Sequence, residues 1–234
     1  MSDGVGHVVA DGPYAAQEVQ LGTSFLPHGN ATLGPLSVAC DGEIAGQLWG
    51  AGAALSSYVL AGAGHAWLAG RPTVVEVGAG TGLLGLAAAC AGASAVIVTD
   101  LAANVPRMAA NIEANAAAIE AVGATVEARA LPWGDADAAF EVAPEGCDLV
   151  LGADLCYNPD LFDPLLETIH ELVIVRDARC FIAVEQRWEG VNDAWAAALA
   201  RSCLEERVQF ELPCPDRLPR KVLCFELGVR AGCG

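Results

Sequence analysis

Basic side chains are scarce in this chain of 234 residues, which carries 12 of them against 29 acidic ones and has a formal net charge of −17. Proteins that bind free nucleic acid usually show the opposite balance, so we expect no nucleic-acid partner. An acidic surface could instead steer a basic partner, although a solvated surface without any partner explains this charge equally well. The single lysine, Lys221, follows no glycine loop, and this excludes a P-loop nucleotide site.

Paired cysteines and clustered histidines are also missing. The nine cysteines include no Cys-x-x-Cys pair, and the four histidines lie far apart in the sequence. We therefore expect no metal site, and thiols that are reduced and mostly buried. The N-terminus, Met1-Ser2-Asp3-Gly4, has neither the basic region nor the apolar run of a signal peptide. These absences predict a cytoplasmic protein, with the nucleus as the alternative.

No apolar stretch has the continuity of a membrane span. Residues 51–70 and 77–99 carry no Asp, Glu, Lys or Arg, but glycines and other small residues interrupt both stretches. We interpret them as buried helix or strand and expect no membrane association. With 54% hydrophobic and 18% charged residues, the chain has enough apolar material for the core of one domain with a small extension, and we expect a monomer.

From residue 73 onward, short strand-like segments alternate with helical ones. The predicted strands cover residues 73–77, 95–99, 125–130, 147–152, 179–185, 204–212 and 221–229. Helices are predicted at about 47–69 and at 83–91, 102–119, 161–175 and 191–202, the third with its Asn and Glu residues on the polar side. This alternation predicts an α/β fold with a doubly wound, mostly parallel seven-strand sheet. Because the last two strands are close in sequence, we expect an antiparallel hairpin at the sheet edge. Residues 1–45 are predicted to be an N-terminal β extension, and residues 46–234 the main domain.

Acidic residues and alternating glycines mark the ends of the first two strands of the main domain. The first strand runs through Glu76 into Gly78, Gly80 and Gly82, and the next closes on Asp100. In an open α/β sheet, ligands bind beyond the carboxyl ends of the strands. Glycines let the backbone turn tightly and approach a ligand, and a carboxylate after the second strand can accept hydrogen bonds from both hydroxyls of a ribose. The pattern predicts a site for a cofactor that contains a nucleoside.

The charges at this site separate two kinds of cofactor. The segment Gly80–Gly85 satisfies Gly-x-Gly-x-x-Gly, but counted from the first glycine after the strand the third position is Leu83. A carboxylate at Glu76 would also repel a pyrophosphate at the helix N-terminus. S-adenosylmethionine has no phosphate and carries a cationic sulfonium and amino group, so it is compatible with nearby carboxylates. We therefore predict S-adenosylmethionine and disfavour an NAD-dependent oxidoreductase, for which the sequence also lacks a catalytic Tyr-x-x-x-Lys pair.

These residues, with three further segments, resemble the seven-strand S-adenosylmethionine-dependent methyltransferases. Within that class the chain resembles the protein-lysine-methyltransferase-like group called methyltransferase family 16, from about residue 46 to about residue 175. The three segments are Gly46-Gln47-Leu48-Trp49-Gly50-Ala51-Gly52, Leu131-Pro132-Trp133-Gly134-Asp135 and Leu151-Gly152-Ala153-Asp154-Leu155-Cys156-Tyr157. The last carries the group's Asp/Glu-x-x-Tyr motif and is the most specific. Gly50 stands where the group usually has proline, which leaves the turn after Trp49 less rigid.

The resemblance implies a role for each matching residue. It implies a Rossmann-like methyltransferase domain whose cofactor contacts are Trp49, Glu76, Gly78, Gly80, Gly82, Asp100, Leu101, Trp133 and Ala153. Within this set the Glu76 end of the glycine segment would hold the methionine part, Asp100 the ribose and Trp133 the adenine. Asp154 and Tyr157 would face the methyl-acceptor channel as the catalytic pair. There a carboxylate and a hydroxyl can orient an amine for in-line displacement.

The predicted activity is methyl transfer from S-adenosylmethionine to a lysine side chain of a non-histone protein. Arginine, histidine or a small molecule as the acceptor remains an alternative within the same enzyme class. A module that binds the cofactor without turnover is a further alternative, against which the intact motifs argue. The expected partner is a protein substrate, and the negative charge of the chain favours a basic one.

Overall fold

The computed structural model describes residues 25–26, 29–40, 43–186, 190–213 and 221–233. Its strands are β1 Phe25–Leu26, β2 Gly29–Leu33, β3 Leu36–Cys40, β4 Leu48–Trp49, β5 Thr73–Val77, β6 Ala95–Asp100, β7 Thr125–Ala130, β8 Leu149–Ala153, β9 Arg179–Glu185, β10 Leu204–Glu211 and β11 Val222–Val229. Its helices are α1 Gly50–Leu60, α2 Leu83–Ala91, α3 Val105–Ala114, α4 Ala116–Ala121, α5 Ala136–Val142, α6 Phe162–Ile174 and α7 Val191–Arg201. Within these ranges, no helix combines the length and the apolar character that crossing a bilayer requires.

Seven strands form one sheet in the order β10-β11-β9-β8-β5-β6-β7. Strands β5 to β9 are parallel, and β11 runs antiparallel to both of its neighbours. The doubly wound, mostly parallel sheet is therefore confirmed, as is the closing antiparallel hairpin, in which β10 is the edge strand. Within this sheet, β5 is the first strand in the sequence. Strands β6 and β7 follow on one side of it, and β8 lies on its other side. The crevice between the ends of β5 and β8 is thus the switch point where ligands of such sheets bind.

Alternating residues of the central strands supply the cores on the two faces of the sheet. In β5, Val75 and Val77 belong to a buried cluster that includes residues of α5, α6 and α7. Val74 belongs to a second cluster, which includes residues of α1 and α2. This period of two is what buries a parallel strand on both faces. It also aims Glu76, the next residue on the Val74 face, at α2.

The described part of the N-terminal extension lies outside the main sheet. Strands β2 and β3 form an antiparallel hairpin, and β1 pairs with β4. Leu33, Leu36 and Val38 are buried in one cluster with apolar residues of α1 and α2. The β extension is confirmed for these residues, and its hairpin packs on the two helices that flank the switch point.

Two predicted helices differ from the observed ones, and one observed helix was not predicted. The helix expected at 47–69 is the shorter α1, because a glycine-containing series of turns occupies residues 61–70. The helix expected at 102–119 is divided into a 3-10 turn, α3 and α4, with Asn115 between the two α-helices. Helix α5 was not predicted; Asp135 caps it by accepting a hydrogen bond from the Ala138 N–H. These differences lie outside the central strands and leave the sheet unchanged.

Candidate functional site

The turn after β5 needs its glycines for conformation and for space. Gly78, Gly80 and Gly82 have φ angles of +61°, +55° and +79°, in the left-handed region that other residues rarely adopt. A Cβ atom on Gly80 would lie 2.7 Å from the Ala45 carbonyl oxygen, and one on Gly78 would lie 2.9 Å from Trp133 Cζ2. The predicted alternation of glycines therefore corresponds to a tight loop with backbone and an indole ring packed against it.

Asp100 closes this loop from the end of β6. One carboxylate oxygen accepts a hydrogen bond from the Gly80 N–H at 2.8 Å. The other accepts from the Leu101 N–H and from Asn104 Nδ2, each at 2.7 Å. The carboxylate is half-buried, and the Leu101 side chain beside it is exposed. The structure thus brings Gly80, Asp100 and Leu101 together, and their contact with a cofactor stays a prediction.

Glu76 lies behind the loop, with only 4% of its surface exposed. Its carboxylate accepts a hydrogen bond from the Gly85 N–H in the first turn of α2 at 2.7 Å. Burial raises the pKa of Glu76 to about 8; the Gly85 hydrogen bond opposes this shift and the negative charge of Asp100 adds to it. The observed contact lets Glu76 hold the start of α2, and its contact with the methionine part of a cofactor stays a prediction.

The occupied N–H groups decide which ligand the glycine segment can hold. In a dinucleotide site, backbone N–H groups of the Gly-x-Gly-x-x-Gly segment and the helix N-terminus face the pyrophosphate. Here the N–H groups of Gly80 and Gly85 donate instead to the carboxylates of Asp100 and Glu76. This donor and acceptor set disfavours a phosphate and suits a cationic ligand with hydroxyl groups.

Trp49 organises a second segment over the loop. Its indole Nε1–H donates to the Ile44 carbonyl oxygen at 3.0 Å and thereby closes the 3-10 turn Ile44–Gly46. The carbonyl of Ala45 in this turn is the group that approaches Gly80. Trp49 therefore acts on the cofactor loop through the turn that its ring holds, and its predicted contact with the cofactor itself stays a prediction.

The Asp154 carboxylate, after β8, caps a helix at the switch point. Trp49, the N-cap residue of α1, makes no side-chain capping bond. Asp154 Oδ2 accepts the Ala51 N–H at 2.9 Å in its place, and Asp154 itself has a left-handed φ of +60°. Ala153 lies against the same helix, since its Cβ is 4.0 Å from where a Cβ of Gly52 would be. The motif residue predicted to face an acceptor is thus also a cap for α1.

Tyr157 is the exposed member of the Asp-x-x-Tyr motif, with 52% of its surface accessible. Its pKa is raised, first by partial burial and then by the negative charge of Asp100. Asp100 closes the glycine loop, so the exposed phenol and this carboxylate are close enough to interact electrostatically. Leu155, between the two motif residues, is buried and lies against Gly78, so the motif packs directly on the loop.

Three contributors were missed by the sequence analysis: the Ala45 carbonyl, Asn104 and Asn111. Asn104 donates to Asp100, and Asn111 donates to the Thr81 carbonyl oxygen at 2.8 Å. A signal for Asn111 was present in its spacing of four from Asn115, which puts two poor helix formers on one helical face. Among the described residues, no group of three or more His, Cys, Asp or Glu side chains is arranged to hold a metal ion.

Comparison with known proteins agrees with this geometry. A family model described as lysine methyltransferase matches residues 36–234. The chain belongs to the lysine methyltransferase family. This confirms the resemblance that the glycine segment and the Asp-x-x-Tyr motif indicated. The match begins at residue 36, within the hairpin β2–β3.

Members with close sequences include two named proteins. Over 129 residues the chain is 39% identical to protein N-lysine methyltransferase METTL21A of Mus musculus, covering 55% of this chain and 56% of the mouse protein. Over 107 residues it is 35% identical to METTL21A of Danio rerio, covering 42% of this chain and 43% of the zebrafish protein. The chain thus spans about half the length of these relatives.

A solved structure extends the comparison to the fold of the family. Magnesium protoporphyrin IX methyltransferase (ChlM) from Synechocystis PCC 6803, with bound SAM, superposes with a TM-score of 0.52 at 17% sequence identity. The superposition covers 78% of this chain and 80% of that enzyme. At this identity the likeness shows that this lysine methyltransferase family member shares the methyltransferase fold.

Proposed function

We propose that this protein transfers a methyl group from S-adenosylmethionine to a lysine side chain of a protein. The observation that carries the proposal is the pairing of the Gly80 and Gly85 N–H groups with carboxylates. Because these N–H groups are already bonded to carboxylates, the loop at the switch point suits a cationic nucleoside better than a dinucleotide. Membership of the lysine methyltransferase family and the names of the two METTL21A relatives support lysine as the acceptor.

The residues present fit this cofactor. Asp100 is half-buried at the end of β6, where its carboxylate can accept hydrogen bonds from ribose hydroxyls. The glycines of the loop, with their positive φ angles, allow a ligand to approach the backbone closely. Trp133 lies beside Gly78 and is half-buried, as a stacking partner for a base would be. When bound, S-adenosylmethionine supplies the methyl group on its sulfonium. The protein supplies binding, orientation and exclusion of water.

On the acceptor side, the chain offers a carboxylate and a phenol from one motif. Asp154 is fixed by the start of α1, and Tyr157 stands at the open side. A lysine amine in water is mostly protonated, with a pKa of about 10.4. The carboxylate attracts and orients this group, and the amine loses its proton to water before it attacks. Positioning of this kind can contribute roughly 7–11 kcal/mol to the lowering of the barrier.

The substrate is proposed to be a non-histone protein with a basic surface, in the cytoplasm. The excess of acidic over basic residues supports a basic partner. The named relatives support protein as the substrate class. The non-histone identity and the location rest on the resemblance and the sequence features alone.

A transfer assay tests the proposal. The protein is incubated with S-adenosylmethionine labelled on its methyl group and a protein extract, and labelled proteins are separated and hydrolysed for amino-acid analysis. We expect methyl-lysine in a discrete band, lost in Asp154→Ala and kept in Asp163→Ala, which removes an exposed carboxylate paired with Arg201. Lys221→Arg removes the only lysine of the chain and hence any lysine self-labelling.

Each other outcome contradicts a defined part of the proposal. Label in methyl-arginine or methyl-histidine would overturn the acceptor. Binding of S-adenosylmethionine without transfer to any extract would identify a binding module. Absence of binding would overturn the cofactor assignment itself.

A further inference from the structure

Two buried amides, one in α3 and one directly after it, face the N-terminal hairpin. Asn111 and Asn115 are 2% and 4% exposed, whereas the helical pattern predicted that they would lie on the polar side. The prediction was wrong because the side chains one turn apart meet the backbone of β3 instead of water. Burying an amide is unfavourable unless its polar atoms are hydrogen-bonded. The hydrogen bonds of these two side chains should therefore explain why they are buried.

The two amides form hydrogen bonds with backbone N–H and carbonyl groups of β3, as a neighbouring strand would. Asn115 accepts from the Ser37 N–H at 2.9 Å and donates to the Ser37 carbonyl at 2.7 Å. Asn111 accepts from the Ala39 N–H at 2.9 Å and donates more weakly to the Ala39 carbonyl at 3.4 Å. Of the two amides, Asn111 also reaches the cofactor loop, where it donates to the Thr81 carbonyl at 2.8 Å. Asn115 donates instead to the backbone carbonyl of Asn111 at 2.6 Å.

Thr81 lies in the middle of the glycine loop, between Gly80 and Gly82, and is 3% exposed. The loop is thus fixed at two successive residues: the Gly80 N–H is held by Asp100 and the Thr81 carbonyl by Asn111. Since glycines on both sides allow many conformations, these two bonds restrict the loop to the one observed. A loop that is ordered before binding loses less entropy when the ligand arrives.

We propose that Asn111 is a positioning residue for the cofactor loop, through which the hairpin β2–β3 raises the affinity for S-adenosylmethionine. Asn115 bonds to the hairpin and to the Asn111 backbone, and the described structure shows no bond from it to the loop. The inference rests on the proposed function for the identity of the ligand, but the coupling between hairpin and loop is a property of the chain itself. It gives the N-terminal hairpin a part in cofactor binding although none of its described residues belongs to the glycine motif.

The test compares Asn111→Ala with Asn115→Ala, which serve as matched controls because each loses hydrogen bonds to β3. We expect both variants to melt at a lower temperature than the wild type. At a temperature where circular dichroism shows both to be folded, titration calorimetry with S-adenosylmethionine is expected to show a dissociation constant raised about threefold to tenfold for Asn111→Ala, the range expected for one lost hydrogen bond. Asn115→Ala is expected to change it by less than about twofold. Equal effects in the two variants, or an unchanged constant in Asn111→Ala, would overturn the proposal.

Hydrogen exchange supplies a second readout that does not depend on the ligand. In the unliganded protein, amides of residues 79–86 are expected to exchange faster in Asn111→Ala than in Asn115→Ala. If the wild type binds no S-adenosylmethionine, the proposed function fails, while the exchange data still decide the coupling. If Asn111→Ala does not fold, Asn111→Leu replaces it, because it keeps a similar volume, leaves no cavity and still removes the amide donor to Thr81. Identical exchange in the residue-111 variant and Asn115→Ala would contradict the coupling.

Discussion

The buried carboxyl group of Glu76 accepts a hydrogen bond from the first turn of α2. Because this group titrates, its protonation state affects the free energy of unfolding. Its pKa of about 8 lies above the ordinary value of 4.5 because of burial; the Gly85 hydrogen bond opposes this shift, and the negative charge of Asp100 adds to it. Between these two values the folded chain binds more protons than the unfolded chain. The linkage relation then requires that this group's contribution to the free energy of unfolding falls as the pH rises through that window.

Glu76→Gln should remove this dependence. We expect the free energy of unfolding of the variant, relative to the unliganded wild type, to increase steadily from pH 5 to pH 8, because the amide needs no ionisation. Urea denaturation of both proteins at each pH measures the difference. Above pH 8, where the wild-type side chain is ionised, the same variant should also bind S-adenosylmethionine more weakly, since a neutral amide replaces a carboxylate near a cationic ligand. A wild-type-to-variant difference that is constant with pH would contradict the assignment of a raised pKa.

A substitution at Gly80 would meet two obstacles, a left-handed backbone conformation and a close contact. A comparison with Gly123 allows the two effects to be measured separately. Gly80 and Gly123 have similar φ angles of +55° and +62°, but nothing lies within 4 Å of a Cβ on Gly123. Gly123→Ala should cost about 1 kcal/mol of stability from conformation alone. Gly80→Ala should cost more and should also weaken S-adenosylmethionine binding, because its methyl group meets the Ala45 carbonyl. Denaturant titration and calorimetry on both variants measure this, and equal losses in the two would show that the contact is unimportant.

At the scale of elements, α1 depends on a residue from the other side of the switch point. Its N-cap residue, Trp49, offers no capping group, and Asp154 supplies the missing acceptor to Ala51. This couples the orientation of α1 to the acceptor motif. The arrangement lets two properties of Asp154, the cap and the charge, be separated by substitution.

Asp154→Asn keeps an oxygen for the Ala51 N–H but removes the charge, whereas Asp154→Ala removes both. We expect Asp154→Ala to lose about 1 kcal/mol of stability, the usual value of a cap. Asp154→Asn should lose much less. Both variants should transfer methyl groups slowly, because neither offers a carboxylate to the incoming ammonium. Thermal melting and the labelled transfer assay report the two properties. Full activity of Asp154→Asn would show that the residue acts as a cap alone.

Prediction of the elements succeeded where local pattern decides them. The strands β5, β7 and β9 and the helix α2 have the predicted bounds, because β-branched runs and glycine turns mark their ends. Helix α5 was missed because it has only seven residues, too few for a clear period. The site was predictable to the extent that its residues lie in motifs. The Ala45 carbonyl was not predictable, because it reaches the loop only through tertiary packing. The spacing of Asn111 and Asn115 marked a shared helical face, but the bond from Asn111 to the loop could not be read from that spacing.

At the scale of the whole molecule, the site and the surface carry charge of the same sign. Carboxylates line the loop and the acceptor motif, and the chain as a whole has a formal net charge of −17. A field of this sign attracts a basic protein over distances that exceed direct contact, and it acts on the rate of encounter more than on the chemistry. The net charge should therefore affect the encounter with the substrate and leave the methyl-transfer step unchanged, and these two effects can be measured separately.

For a lysine peptide with basic flanking residues, KM should rise and kcat should stay constant as salt is added. The reason is that the screening length falls from about 10 Å at 0.1 M to about 3 Å at 1 M salt, so that only contacts at the site itself survive. Steady-state rates between these concentrations measure the effect, and a peptide of the same length with neutral flanks is the control, whose KM should change far less. An identical salt dependence for both peptides would mean that the acidic surface has no part in substrate encounter. A fall in kcat alone would place the effect at the transfer step, where Asp154 and Tyr157 rather than the remote charges act.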